Sequence, residues 1–381
     1  MSDTHRTHDQ QDLPLPAALR SVERVLGDLR RGTPVVVQGR QAAFLVQAAE
    51  GVSREGLARL RALSRRGPVL ALSARRAQRL GLAGEPTGAV RFALAGGVTA
   101  EAVQQMADPL SAPPEPPPQP LGLSRVEPGG LDAGAVELTK LAGLLPAAVI
   151  APVPGERLSY LSAWAAAEGL LIVELDDVFN FREAEARSLR RVSEARVPLA
   201  DAEDTRVVAF RPPDGSREHL AIVIGDPQPE EPVLARIHSE CFTGDLLASL
   251  RCDCGDQLRG AVAAIVKAGG GVLLYLAQEG RGIGLVNKLR AYALQDSGLD
   301  TLDANEQLGF DPDERLYLAA AEILRRLGFE QIRLMTNNPN KMTALTRCGI
   351  RVVDRVPHTF PTNPHNAHYV ATKRQRGGHM L

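Results

Sequence analysis

The stretch "GDQLRGAVAAIVKAGGGVLLYLAQEGRGIGLVNKLRAYALQ", Gly255 to Gln295, decides the fold. It opens with an apolar-faced helical pattern, runs through glycines into the continuous apolar segment "GVLLYLA", turns at "QEGRGIG" and re-enters a helical pattern. A short apolar run held between two helices is a buried strand. Strand and helix alternating in this way specify an α/β sheet with helical cover.

The alternation continues outward. "TRVVAFRP", "HLAIVIGD" and "PVLARIHSE" read as strands before it, and "QIRLM" and "IRVVDRVP" as strands after it, with "NPNKMTALTRCG" a helix. "DPDERLYLAAAEILRRLG" predicts a helix opened by Asp311 as cap and Pro312 at its first position, closed by Gly328. In the first half, "TPVVVQG", "AAFLVQAA", "PVLALS" and "AAVIAPV" are strands between amphipathic helices, one of them capped by Ser53. A chain of 381 residues exceeds one typical core. The expectation is two α/β domains, residues 19–195 and 196–381, each a mixed sheet covered by helices, behind a disordered leader over 1–18. The proline-rich run Ser111–Gly122 reads as a surface loop within the first domain.

A net charge of −1 and 4% aromatic residues argue against a nucleic-acid partner. No apolar run reaches the length of a membrane span, and the polar start "MSDTHRTHDQQDLPLP" lacks the apolar core of a secretory signal. Four cysteines, three of them clustered, do not form a disulfide framework in so long a chain. A reducing, cytoplasmic setting with thiols free for metal is the reading that fits.

Cys241, Cys252 and Cys254 form a C-x10-C-x-C set. Thiolates are preferred zinc ligands, and three protein ligands leave a fourth position open, as in catalytic sites. Isolated cysteines would be buried core residues; this spacing amid polar residues favours zinc. "QEGRGIG" joins a strand to a helix, so its backbone N–H groups, the helix N-terminus and Arg281 can meet an anion, although such turns are often only tight turns. "TNNPNK", Thr336 to Lys341, is a second such loop, with helix capping as the ordinary alternative. Two loops of this kind suggest an anionic ligand at the carboxyl ends of the strands. By spacing alone Asp313 and Arg315 are first-turn charges, Tyr292, one turn after Lys288, is a packing residue, and Cys348 is a buried thiol.

"RIHSECFTGDLLASLRCDCG", "QEGRGIGLVNKLRAYALQ", "DANEQLGF", "DERLY" and "LMTNNPNK", in that order from about Arg206 onward, resemble the GTP cyclohydrolase II family of riboflavin synthesis. The resemblance implies one zinc ion per subunit on Cys241, Cys252 and Cys254. It implies GTP contacts at Arg236, Ile237, His238, Ser239, Glu240, Gln257, Glu279, Gly280, Arg281, Thr301, Thr336 and Lys341; the individual role of His238 in that run is left open by the resemblance, and polar support of the site is the expectation. It further implies Asp313 as proton acceptor, Arg315 as nucleophile towards the α-phosphorus with a transient guanylyl-enzyme, and Tyr292 in completing the reaction. Magnesium would accompany the triphosphate, and zinc would activate water for C8 of the purine. The products would be pyrophosphate, formate and 2,5-diamino-6-ribosylamino-4(3H)-pyrimidinone 5′-phosphate; some relatives stop at the formylated intermediate, and Tyr292 leans against that. The expected assembly is a homodimer, with no nucleic-acid or membrane partner.

"VERVLGDLRRGTPVVV", "ARRAQRLGL", "AGGVTAEA" and "AVELTKLAGLLPAAVI" resemble 3,4-dihydroxy-2-butanone 4-phosphate synthase. Where that family holds magnesium with carboxylates, this chain reads "VVVQGRQAAFLV", and where it has a histidine this chain has Leu131 in "PGGLDA". Magnesium needs oxygen ligands. A degenerate, non-catalytic domain is expected, with a bifunctional enzyme or a non-catalytic GTP-binding regulator as the alternatives.

Overall fold

The computed structural model describes residues 17–82, 88–94, 97–111, 120–376, 378 and 380. Most of the expected leader and of the proline-rich run lie outside the described residues. The first sheet contains β1 (Val35–Gln38), β2 (Ala43–Ala48), β3 (Val69–Ser73), β4 (Ala89–Leu94), β5 (Pro120–Arg125), β6 (Ala147–Pro152) and β7 (Ile172–Glu174). Its order is β5-β4-β3-β6-β2-β1-β7, antiparallel except for the β1–β7 pair. Near-continuous burial along β1, β2 and β6 reflects helices on both faces. The helices Ala17–Arg30, Leu131–Leu141 and Leu175–Ser188 close one core, and Arg54–Ser64, Ala100–Ala107 and Leu161–Ala167 the other.

The second sheet contains β8 (Arg190–Arg196), β9 (Thr205–Arg211), β10 (His219–Ile224), β11 (Val233–Ser239), β12 (Gly271–Leu276), β13 (Gln331–Met335) and β14 (Arg351–Val356), in the order β14-β13-β11-β12-β10-β9-β8. The four strands from β14 to β12 are parallel, and the rest pair antiparallel. Both domains are therefore mixed sheets under helices. Sheet membership changes at Arg190, since β8 pairs with β9 a few residues ahead of the boundary expected from sequence.

Two local expectations differ from the structure. "DPDERLY" is not the opening of a helix: regular helix starts at Leu318 and ends at Arg326. The Glu314 N–H donates to the Arg281 carbonyl at 3.1 Å and the Asp313 carboxylate accepts from the Arg315 N–H, so contacts outside a helix take these groups. A helix at Thr301–Gln307 also forms where none was expected, capped by the Asp300 side chain. With the helix Leu285–Asp296 it sends Ala291, Leu294, Ala304, Leu308 and Phe310 into one core of the first sheet.

Candidate active site

The parallel strands β11, β12 and β13 end side by side, and their carboxyl ends lead into the cysteine segment, the 277–284 loop and the 336–341 loop. A cleft opens there, as the crevice rule for parallel sheets requires.

The ligand atoms of Cys241, Cys252 and Cys254 all lie within 4.8 Å of one another. Cys241 Sγ and Cys252 Sγ are 3.7 Å apart, and tetrahedral metal–sulfur bonds of about 2.3 Å set ligand sulfurs about 3.8 Å apart. Without a cation the three cannot all be thiolates. The Cys252 and Cys254 thiols donate to Cys241 and hold its pKa down, and the same bonding raises Cys254 and pushes Cys252 up to about 11. A Cβ on Gly244 would meet Cys252 Sγ at 2.7 Å and Cys241 Sγ at 3.0 Å, so the backbone crosses the cluster where only glycine fits. The residues thus fit a thiolate-bound metal.

Around the cluster, Asp245 accepts from the Cys241 N–H at 2.9 Å, from His238 Nε2 at 3.0 Å and from the Tyr275 hydroxyl at 3.1 Å. Burial depresses the His238 pKa, and its Nδ1 has no partner among the described residues. Lys288 Nζ donates to Cys241 Sγ at 3.1 Å, Thr243 Oγ1 at 3.0 Å and Glu279 Oε1 at 2.9 Å. Burial opposes the Lys288 charge, but Glu279 and Cys241 outweigh it and raise its pKa. Sequence reasoning missed Asp245 and the role of Lys288; the only local sign was Lys288 lying one turn before Tyr292.

Of the expected contact residues, Arg236, His238, Ser239, Glu240, Gln257, Glu279, Gly280, Arg281, Thr301, Thr336 and Lys341 line the cleft. Ile237 does not: its side chain enters the core, and its carbonyl accepts from Lys341 Nζ at 3.1 Å. Arg236 donates to Gln257 Oε1 at 2.5 Å and to the Met335 carbonyl at 3.0 Å, while burial lowers its pKa to about 10. Arg236 Nε and Ser239 Oγ are buried without partners among the described residues. Together with His238 Nδ1 they form a set of orphaned polar atoms suited to a polar ligand. Gly280 and Arg281 both adopt left-handed backbone, at φ 63° and 62°. For a non-glycine residue this stores strain of about 1–3 kcal/mol, a mark of functional turns.

Arg315 lines the cleft, and its Nε and Nη2 reach the Asp313 carboxylate at 2.7 and 2.5 Å. Asp313 stands behind it and is not itself a lining residue. Burial opposes both charges, but each partner outweighs it: the Asp313 pKa is lowered and that of Arg315 raised. Tyr292 also lines the cleft, with the Arg251 guanidinium 4.7 Å from its ring centroid; burial pushes its pKa up to about 12. Tyr369, from the helix Ala367–Gln375, completes one wall.

Clustered thiols beside cationic, glycine-rich loops at strand ends are the arrangement of a metal-assisted enzyme for an anionic substrate. The sequence profile of GTP cyclohydrolase II matches residues 190–357. A GTP cyclohydrolase-2 from Azospirillum brasilense is 54% identical over 366 residues, 96% of this chain and 95% of its own. Riboflavin biosynthesis protein RibBA from Chlorobium phaeovibrioides is 44% identical over 257 residues, 66% of this chain and 62% of its own. A solved 3,4-dihydroxy-2-butanone 4-phosphate synthase from Candida albicans aligns with 42% of this chain and 96% of its own at 26% identity, with a TM-score of 0.35. The chain belongs to the GTP cyclohydrolase II family.

Proposed function

We propose that this chain catalyses the complete family reaction: GTP and three waters give 2,5-diamino-6-ribosylamino-4(3H)-pyrimidinone 5′-phosphate, formate and pyrophosphate. The observation that carries this reading is the single cleft shared by the three thiols, Arg315 and Tyr292. Cys241, Cys252 and Cys254 would hold zinc, which supplies Lewis acidity for water at C8 of the purine. Arg236, Lys341 and Arg281 place cationic groups around the triphosphate and its magnesium, and the orphaned Nε of Arg236 and Oγ of Ser239 gain partners on binding.

Arg315 would attack the α-phosphorus: a nitrogen–phosphorus bond forms, the bond to pyrophosphate breaks, and the guanidinium proton passes to Asp313. Arginine ordinarily keeps that proton. The two-point contact with Asp313 supplies an acceptor within 2.7 Å; because the pairing itself strengthens the hold of Arg315 on its proton, the transfer has to accompany formation of the nitrogen–phosphorus bond. Water then releases the nucleotide from Arg315. Tyr292, within reach of both Lys288 and Arg251, would support removal of the formyl group.

Exposed Phe242, Leu246, Leu247 and Leu250, together with Val286 and Leu289, give an apolar surface beside the cleft suited to burial in a homodimer. A cytoplasmic location fits the free thiols, and among the described residues no helix is long and apolar enough to cross a membrane. The first domain is read as non-catalytic: the β1–β2 hairpin presents no carboxylate, and the Asp132 carboxylate near Leu131 pairs with Arg91 at 3.3 Å.

The test is zinc-loaded protein with GTP and magnesium, scoring pyrophosphate, formate and the diaminopyrimidine together, beside Cys252→Ser. All three products from the parent, with formate lost in the variant, are expected. A parent that releases pyrophosphate yet retains the formyl group would contradict the complete reaction.

A further inference from the structure

The turn Asp311–Leu316 is a partition between two cavities. Arg315 lines the GTP cleft on one side and, on the other, a cavity of about 660 Å³ between the two domains. No strand or helix ladder fixes this turn, so its shape depends on point contacts. Several of them converge on Glu314, whose side chain is only 8% exposed. Its N–H donates to the Arg281 carbonyl at 3.1 Å, and its Oε1 accepts from the Asp311 N–H at 3.0 Å. Other contacts on the turn stay within the second domain, such as Gln278 to the Leu316 carbonyl and Arg281 to the Pro312 carbonyl, but the remaining contacts of Glu314 come from the first domain. Lys140 Nζ meets Glu314 Oε1 at 2.8 Å, and Arg182 Nη1 donates to the Glu314 carbonyl at 3.0 Å. Glu137 lies 3.5 Å from both cations and keeps them in place. Gly282 closes the arrangement, since a Cβ there would come within 3.0 Å of the Glu314 backbone.

We propose that Lys140 and Arg182 are positioning residues of the GTP reaction, through which the first domain holds Asp313 and Arg315 in their working geometry. Glu314 lies between those two in the chain, so any displacement of it moves both. A shift of about 1 Å in a reacting group can cost about 100-fold in rate. Losing Lys140 would leave a buried carboxylate without its ammonium partner, and such a group moves towards water. This inference rests on assigning Asp313 and Arg315 to the reaction.

The test uses the full-length, zinc-loaded chain and measures kcat and KM for pyrophosphate release, zinc content and Tm. Lys140→Met is expected to lower kcat by about 10- to 100-fold, with KM for GTP changed by less than about twofold. Zinc should be retained, and Lys140→Arg should restore most of the rate. Arg182→Met, at a more exposed site, should show a smaller kcat loss of the same kind and serves if Lys140→Met does not fold. Adding Glu314→Gln to Lys140→Met should cost little more, because no unpaired charge is left behind. Unchanged kcat in both single variants overturns the proposal, as does a loss that follows zinc or Tm and is not rescued by arginine. Arg315→Lys separates the two levels. If it turns over normally, the assignment beneath the proposal fails; if it is inactive while Lys140→Met is fully active, only the clamp fails.

Discussion

At the scale of single residues, Gly244 leaves no room for a side chain beside the three thiols. The added methyl of Gly244→Ala would fall 2.7 Å from Cys252 Sγ and 2.9 Å from Cys254 Cβ, and must spread the thiols. The variant is expected to bind less than one tenth of the parental zinc (roughly, from about 1.4 kcal/mol per tenfold), read by metal analysis and thiol titration, and to release no formate. His219 gives a pH prediction. Burial lowers its pKa to about 4, and its Nδ1 accepts from the Ala277 N–H at 3.0 Å. The unfolded chain takes up this proton below about 6.5 and the folded chain only near 4, so stability present above 6.5 is lost as pH falls towards 4. Glu185 acts oppositely: burial raises it to about 6, and its protonation in the fold restores some stability as pH drops below that value. Urea denaturation should show His219→Gln flattening the acid loss by about 1–3 kcal/mol, and Glu185→Gln steepening it.

At the scale of elements, the strands and most helices were legible because their periodicities are strong. β12 and the helix Cys254–Lys267 fall where the apolar run and the helical stripe put them. The 277–284 and 336–341 loops were legible as strand-to-helix turns for the same reason, as each interrupts such a pattern. The segment Asp311–Tyr317 was not: Asp311, Pro312 and Gly328 are sound local helix signals, but the buried Glu314, through its distant partners Lys140 and Arg281, and the local Asp313–Arg315 pair override them. Asp245, Lys288 and Tyr369 were likewise invisible, because their places come from the packing of neighbouring elements around the cysteines. Lys140 and Arg182 carried no local signal either, because their place follows from how the helices Leu131–Leu141 and Leu175–Ser188 pack against the second domain.

At the scale of the molecule, the two sheets are joined by a mixed seam. Phe310, 2% exposed, sits in the first domain's core with Leu308 and Ala304. Around it Ser73 Oγ donates to the Gly309 carbonyl at 2.6 Å, Arg75 pairs with Glu306 at 3.0 Å, and Arg290 pairs with Glu50 at 2.7 Å. Phe310→Ala should cost about 3–5 kcal/mol of stability, and calorimetry should show both domains melting earlier. Residues 190–381 produced alone would bare this face, and light scattering should show concentration-dependent association.

The seam and the Glu314 clamp have a consequence for heredity. An allele altered only at Lys140 or Glu50 leaves every cleft-lining residue intact, yet it should behave in a cross as a defect of vitamin synthesis and be rescued by a separate gene for the second half's chemistry. The first half would then be kept in the lineage by selection on a reaction whose cleft none of its described residues lines.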